Sequence, residues 1–184
     1  IVHCPLVAAR HGGAIRSFMS YKAMGQRIGL GTDTWPPDMI LNMQLGLMVC
    51  RIVEADALGC RSEDYFDAAT LGGADALGRR DLGRLEAGAK ADIAVIDLSQ
   101  TLQTTDPIQT LMAGASGRDV TTVFIDGRLV MQDRQIEGFD ETAAAMQAQA
   151  QFDGLIARYP DRTMGHPPVS TIFHASYPRR ARDG

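Results

Sequence analysis

The feature that most constrains this chain is residues 27–38, Arg-Ile-Gly-Leu-Gly-Thr-Asp-Thr-Trp-Pro-Pro-Asp. Ile28-Gly29-Leu30-Gly31 is a short apolar run interleaved with glycine, the pattern of a buried strand whose backbone is approached closely. The run stops at one carboxylate, Asp33, ahead of a proline turn. In α/β folds the ends of buried strands are where loops build pockets, so a carboxylate there is a candidate for chemistry. The structural alternative is that Asp33 caps the next helix. Both readings stay open at this point.

The residues before it complete a unit. Residues 1–9 predict a short strand ended by Pro5, with His3 at its end. A histidine in that position either bonds the backbone of a loop or meets a ligand. Between Gly12 and Gln26, the spacing of Ala14, Ile15, Phe18, Met19, Tyr21 and Met24 predicts a helix that Gly25 ends. Strand, helix, strand in succession is the βαβ unit, and its strands pair in parallel.

After Asp33, Thr34-Trp35-Pro36-Pro37-Asp38 is a stiff loop holding the single Trp. A helix over residues 39–58 follows, apolar on most faces and expected to pack on more than one side, with Met43 and Met48 as core filler. Residues 62–70 predict a second helix, capped by Ser62 with Glu63 and Asp64 in its first turn. Residues 71–78 continue it as a broken turn. Gly83-Arg-Leu-Glu-Ala-Gly88-Ala-Lys90 looks superficially like a phosphate loop. The lysine is displaced, no Ser or Thr follows it, and a strand rather than a helix comes next, so the better reading is a turn feeding that strand.

Ile93 to Asp97 reads as that strand, and Asp106-Pro107 opens a short helix through Met112. Residues 120–131 are a hairpin turning at Asp126-Gly127. Residues 139–159 are a helix opened by Asp140, whose stripe of Ala145, Phe152, Ile156 and Tyr159 suits docking on a domain or subunit. Beyond Pro160 the chain reads as an irregular arm with a basic end and with His166 and His174 on its surface.

Composition sets the outer bounds. With 184 residues, 45% of them hydrophobic and 22% charged, the chain is of globular type. No apolar run approaches the roughly 20 residues that span a bilayer, and Ile1-Val2 does not begin a secretory signal. A net charge of −4 with scattered Lys and Arg argues against nucleic acid. Three cysteines without Cys-x-x-Cys spacing point to a reducing compartment, the cytoplasm. The chain starts at Ile1 without Met, and a piece of a longer protein is expected.

Three motifs in order carry a resemblance: His3-Cys4-Pro5, Gly29-Leu-Gly-Thr-Asp33, and Asp81-Leu-Gly-Arg-Leu-Glu-Ala-Gly-Ala-Lys-Ala-Asp-Ile-Ala-Val-Ile-Asp97. Over roughly residues 1–135 the chain resembles the metal-dependent amidohydrolase superfamily, most nearly its cytosine deaminase and triazine hydrolase (chlorohydrolase) branch. The resemblance implies an α/β fold, the C-terminal part of a (β/α)₈ TIM barrel with strands 7 and 8 and their helices, plus part of a small β-sandwich. Residues 1–77 would be the barrel portion, 78–137 the partial sandwich, and 138–184 a C-terminal helix and irregular tail. A closed barrel of this kind takes about 250 residues, more than the chain has.

The same resemblance implies a hydrolase that removes amino or chloro substituents from N-heterocycles with metal-activated water. Asp33 would be a catalytic residue and a ligand of a divalent ion, Zn or Fe. His3 would contact substrate, and Trp35 would wall the pocket or staple its loop. Relatives follow His-Cys-Pro with Ser-Asn, whereas this chain has Leu6-Val7-Ala8-Ala9-Arg10-His11, so Arg10 and His11 form either a cationic rim for substrate or a solvated face. The histidine and acid ligands that relatives bring from earlier strands are absent, and the chain alone is expected to be inactive. The expected partner is a small N-heterocyclic molecule, in a homo-oligomer, with no nucleic acid or membrane. A non-catalytic scaffold subunit and a small self-contained binding module remain as alternatives.

Overall fold

The computed structural model describes residues 1–162, 165 and 167–177. It divides into two compact units, Ile1–Glu137 and Gly138–Gly184. His166 and the basic run of Arg179, Arg180 and Arg182 lie outside the described residues.

The first unit opens with β1 (Val2–His3), α1 (Pro5–Arg10), α2 (Phe18–Ala23) and β2 (Gly29–Leu30). β1 and β2 pair in parallel, with Val2 opposite Gly29 and His3 opposite Leu30. The βαβ expectation holds, with a difference at its start. Residues 5–10 are helical, not the tail of a strand, because Pro5 takes the first helical position, where its missing N–H costs nothing. The helix predicted over residues 12–26 shortens to α2, which Ser17 caps by accepting the Ser20 N–H. Gly25, at φ +75°, receives the chain as it leaves this helix.

Asp38, not Asp33, caps the next helix, α3 (Met39–Glu54), by accepting the Leu41 N–H at 3.0 Å. α3 ends four residues earlier than its apolar pattern suggests, with Ala55 in the left-handed conformation. One side of α3 is buried, through Ile40, Met43, Leu47 and Cys50. Ile52 and Met48 face outward, Met48 being 57% exposed, so Met43 is core and Met48 is not.

α4 (Ser62–Ala69) and α5 (Leu71–Ala76) follow. The N-cap position of α4 is Arg61 rather than Ser62, and Asp64 reaches back to accept the Arg61 N–H at 2.8 Å. α5 lies directly on β2, where Gly72 meets the Ile28 carbonyl. The core gathers Phe18, Ile28, Ile40, Leu47, Tyr65 and Leu111 from these elements, and Phe18 stacks on Tyr65 at 4.5 Å.

β3 (Ile93–Ile96), α6 (Pro107–Gly114), β4 (Val120–Ile125) and β5 (Arg128–Met131) complete the unit. The three strands form an antiparallel sheet in the order β3-β4-β5. Asp126 and Gly127 both have positive φ, as a tight two-residue hairpin turn requires. Lys90, from the loop that resembles a phosphate loop, bonds Asp126 at 2.6 Å, and its chain runs on into β3. Asp106 caps α6 through the Ile108 and Gln109 N–H groups.

The second unit holds α7 (Glu141–Arg158), capped by Asp140, and α8 (Val169–Ile172). No residue of α7 is buried, and Phe152 of its stripe meets Phe173 edge-on at 6.1 Å.

Candidate active site at the ends of two parallel strands

The parallel pairing of β1 and β2 decides what stands together. The Gly29 N–H bonds the Ile1 carbonyl and the Gly31 N–H bonds the His3 carbonyl, each at 2.9 Å. Both strands therefore end at the same level, and the chain leaves β2 through Gly31 and Thr32 to reach Asp33. Asp33 is exposed and has φ +45°, a left-handed conformation that Asp tolerates better than most residues. The Cys4 thiol lies against Gly31, where a built Cβ would stand 3.0 Å from its Sγ. Burial pushes the Cys4 thiol pKa up and the Asp33 charge pushes it further, while a hydrogen bond from the Gly31 backbone works the other way. An acid and a thiol thus share one strand-end rim.

His3 stands beneath this rim. Its side chain is 6% exposed, its Nε2 has no hydrogen-bond partner among the described residues, and its ring lies 6.3 Å from Tyr65, tilted by 59°. Burial pulls its pKa down, so the ring is held neutral.

Arg10 and His11 take different roles from a shared cationic rim. Arg10 Nη1 donates to Thr34 Oγ1 at 3.1 Å and to the Trp35 carbonyl, crossing from α1 to the loop after Asp33. His11 Nδ1 sits 2.9 Å from the Val7 carbonyl of its own helix, where it serves the helix end. Trp35 is 79% exposed, so its ring is not stapled to the fold and presents an open aromatic face beside Asp33. Sequence reasoning missed the Arg10 link, since nothing local connects positions 24 and 25 residues apart.

A second cleft, about 250 Å³, opens at the N-terminal end of β2, lined by Phe18, Lys22, Arg27, Ile28, Asp64 and Asp67 among others. Lys22 pairs with Asp64 there, and the Arg27 guanidinium donates to the Asp75 backbone carbonyl.

A divalent transition metal needs three or four protein donors. Among the described residues no three His, Cys, Asp or Glu side chains converge. Asp33 offers one carboxylate, and the described residues do not by themselves make a metal site.

A parallel strand–helix–strand unit, followed by helices and a small antiparallel sheet, makes this a mixed α/β chain. The chain belongs to the Amidohydrolase family, whose profile matches residues 1–130. It is 30% identical over 164 residues to a 5-methylthioadenosine/S-adenosylhomocysteine deaminase of Natronomonas pharaonis, and 32% identical over 164 residues to that of Pelotomaculum thermopropionicum. Each match covers 86% of this chain, and the chain spans 38% of the length of either relative. Among solved structures it is similar to an adenosine deaminase from Xanthomonas campestris with bound zinc, at TM-score 0.77 and 27% identity over 84% of this chain and 37% of that one. It also shares the fold of an atrazine chlorohydrolase from Arthrobacter aurescens complexed with zinc, at TM-score 0.68 and 22% identity over 82% and 35% of the two chains. The expected C-terminal barrel portion thus matches family members over part of their length. Among the described residues no helix is long and apolar enough to cross a membrane.

Proposed function

We propose that these residues are the C-terminal portion of a metal-dependent hydrolase that removes an amino group from a purine-like N-heterocycle. The observation that carries the reading is Asp33, exposed at the end of β2 and level with the end of β1, in a chain 30% identical to nucleoside deaminases. Dechlorination is the weaker form of the same reading, since the chlorohydrolase likeness is one of fold. The site then comprises Asp33 as a ligand and proton acceptor and Trp35 as a stacking wall. His3 is a neutral support under the strand ends. Arg10 and His11 stand at the rim as candidate substrate contacts. The barrel portion is 1–77, the partial sandwich 78–137, and the remainder a C-terminal helix and tail.

The donors that Asp33 lacks lie, on this reading, in the part of the protein that these 184 residues do not include, and the chain alone is inactive. A divalent ion, zinc or iron, would supply a bound water acidified toward neutrality. What Asp33 contributes by itself is an anionic oxygen facing open space, able to accept a proton from a group placed against it. Trp35 contributes a flat apolar face suited to a heteroaromatic ring. The protein works on small molecules, as a homo-oligomer in the cytoplasm, and its acidic net charge gives no footing for nucleic acid.

The test is Asp33→Asn in the complete protein, with ammonia release from 5-methylthioadenosine and bound zinc measured together. Loss of both is the expected result. Full turnover with wild-type zinc content overturns the assignment.

A further inference from the structure

Arg10 is the polar tether of the loop beside Asp33. Among the described residues, the segment 32–37 between β2 and α3 makes two hydrogen bonds, both from the Arg10 guanidinium, to Thr34 Oγ1 and the Trp35 carbonyl. No backbone hydrogen bond closes this loop on itself. Asp33 sits in it with φ +45°, in the left-handed region. The Trp35 ring is exposed, so its position is set by its backbone and not by packing. Arg10 in turn is carried by α1, which starts two residues after His3 and packs on α3. One guanidinium therefore joins the segment leaving β1 to the segment leaving β2.

We propose that Arg10 is a positioning residue. It fixes the two residues that follow Asp33 and so sets where the Trp35 face stands relative to the carboxylate. The proposal deepens the deaminase reading and rests on it for the consequence to substrate, though not for the geometry. Both bonds come from Nη1, whose two N–H groups serve a hydroxyl and a carbonyl at once. A loop held at one point places its aromatic face in one position before substrate arrives, and small misplacements of such groups cost large factors in turnover.

The complete protein is labelled with 5-fluorotryptophan, and the Trp35 resonance is identified by its disappearance in Trp35→Phe. Arg10→Met, which keeps an apolar stem and removes the donors, is expected to narrow the Trp35 resonance and move it toward its unfolded-chain position, with an unchanged circular dichroism spectrum. Arg10→Lys restores part of the wild-type signal. Thr34→Val removes one acceptor at constant volume, carries the test should Arg10→Met fail to fold, and is expected to give a smaller change in the same direction. With 5-methylthioadenosine, Arg10→Met raises KM about tenfold with a smaller change in kcat, the signature of a displaced binding wall. A wild-type Trp35 resonance in both Arg10→Met and Thr34→Val overturns the proposal. Wild-type turnover by Asp33→Asn overturns the deaminase reading instead, and leaves the Trp35 signal of Arg10→Met as it was.

Discussion

Gly72 of α5 stands so close to Ile28 that a Cβ built on it overlaps the Ile28 carbonyl oxygen and lies 3.0 Å from the carbonyl carbon. The next residue, Gly73, has nothing within 4 Å of its own built Cβ. Adjacent glycines in one short helix therefore do different work. Gly72→Ala is expected to destabilise the fold by about 1–3 kcal/mol, since backbone cannot move aside as a side-chain tip would. Gly73→Ala is expected to be neutral or to stabilise by up to about 1 kcal/mol, the helix-propensity difference. Urea unfolding of the two variants side by side checks this, and equal effects would show that α5 does not lie on β2 as described.

Asp38 performs two tasks with one carboxylate. Oδ1 caps α3 at Leu41, and Oδ2 accepts the Gly117 N–H at 2.9 Å, 79 residues away. Asp38→Ala should cost about 1–2 kcal/mol for the cap, with a further loss from the freed Gly117 N–H. Asp38→Asn should recover most of the cap. Thermal unfolding of the three proteins gives the order wild type, Asn, Ala.

His3 gives stability a pH dependence of definite sign. Burial lowers its folded-state pKa, so the folded form prefers the neutral ring. Above the unfolded value of about 6.5 the ring is neutral in both states and contributes no slope. As the pH falls below that value, the unfolded chain binds the proton first and stability drops, until the folded pKa is passed. His3→Gln should flatten the stability profile as the pH falls below about 6.5. Urea midpoints across that range decide the matter.

Tyr65 is fully buried, and its hydroxyl finds no hydrogen-bond partner among the described residues. Burial and the neighbouring Cys50 and Cys60 thiols push its pKa far up, so it remains a phenol. An orphaned buried hydroxyl carries a desolvation cost of about 1–3 kcal/mol. Tyr65→Phe keeps the stack on Phe18 and removes that cost, and is expected to be neutral or stabilising by urea denaturation. A loss above about 1 kcal/mol would mean that the hydroxyl is satisfied in solution.

Several features were legible before any coordinates, and each is short in range. The Asp126-Gly127 turn, the Asp106 and Asp140 caps and the Gly25 helix exit all depend on contacts between residues two to four apart, which the backbone imposes wherever those residue types occur in that order. The parallel pairing of β1 and β2 followed from a helix lying between two apolar runs. Asp33 at a strand end was readable for the same reason.

What the sequence determined by itself is therefore the succession of elements, their turns and caps, and the family motifs that run through residues 3 to 97. Tertiary structure alone decided which methionine is core, that His3 is enclosed, and that Arg10 reaches across to Thr34 and Trp35. Those outcomes depend on which surfaces meet between residues tens of positions apart. Two methionines on the same helix are equivalent until a neighbouring element covers one and leaves the other in water. Packing removes that degeneracy because burial rewards only the face that another element reaches, and local propensity carries no information about which face that is.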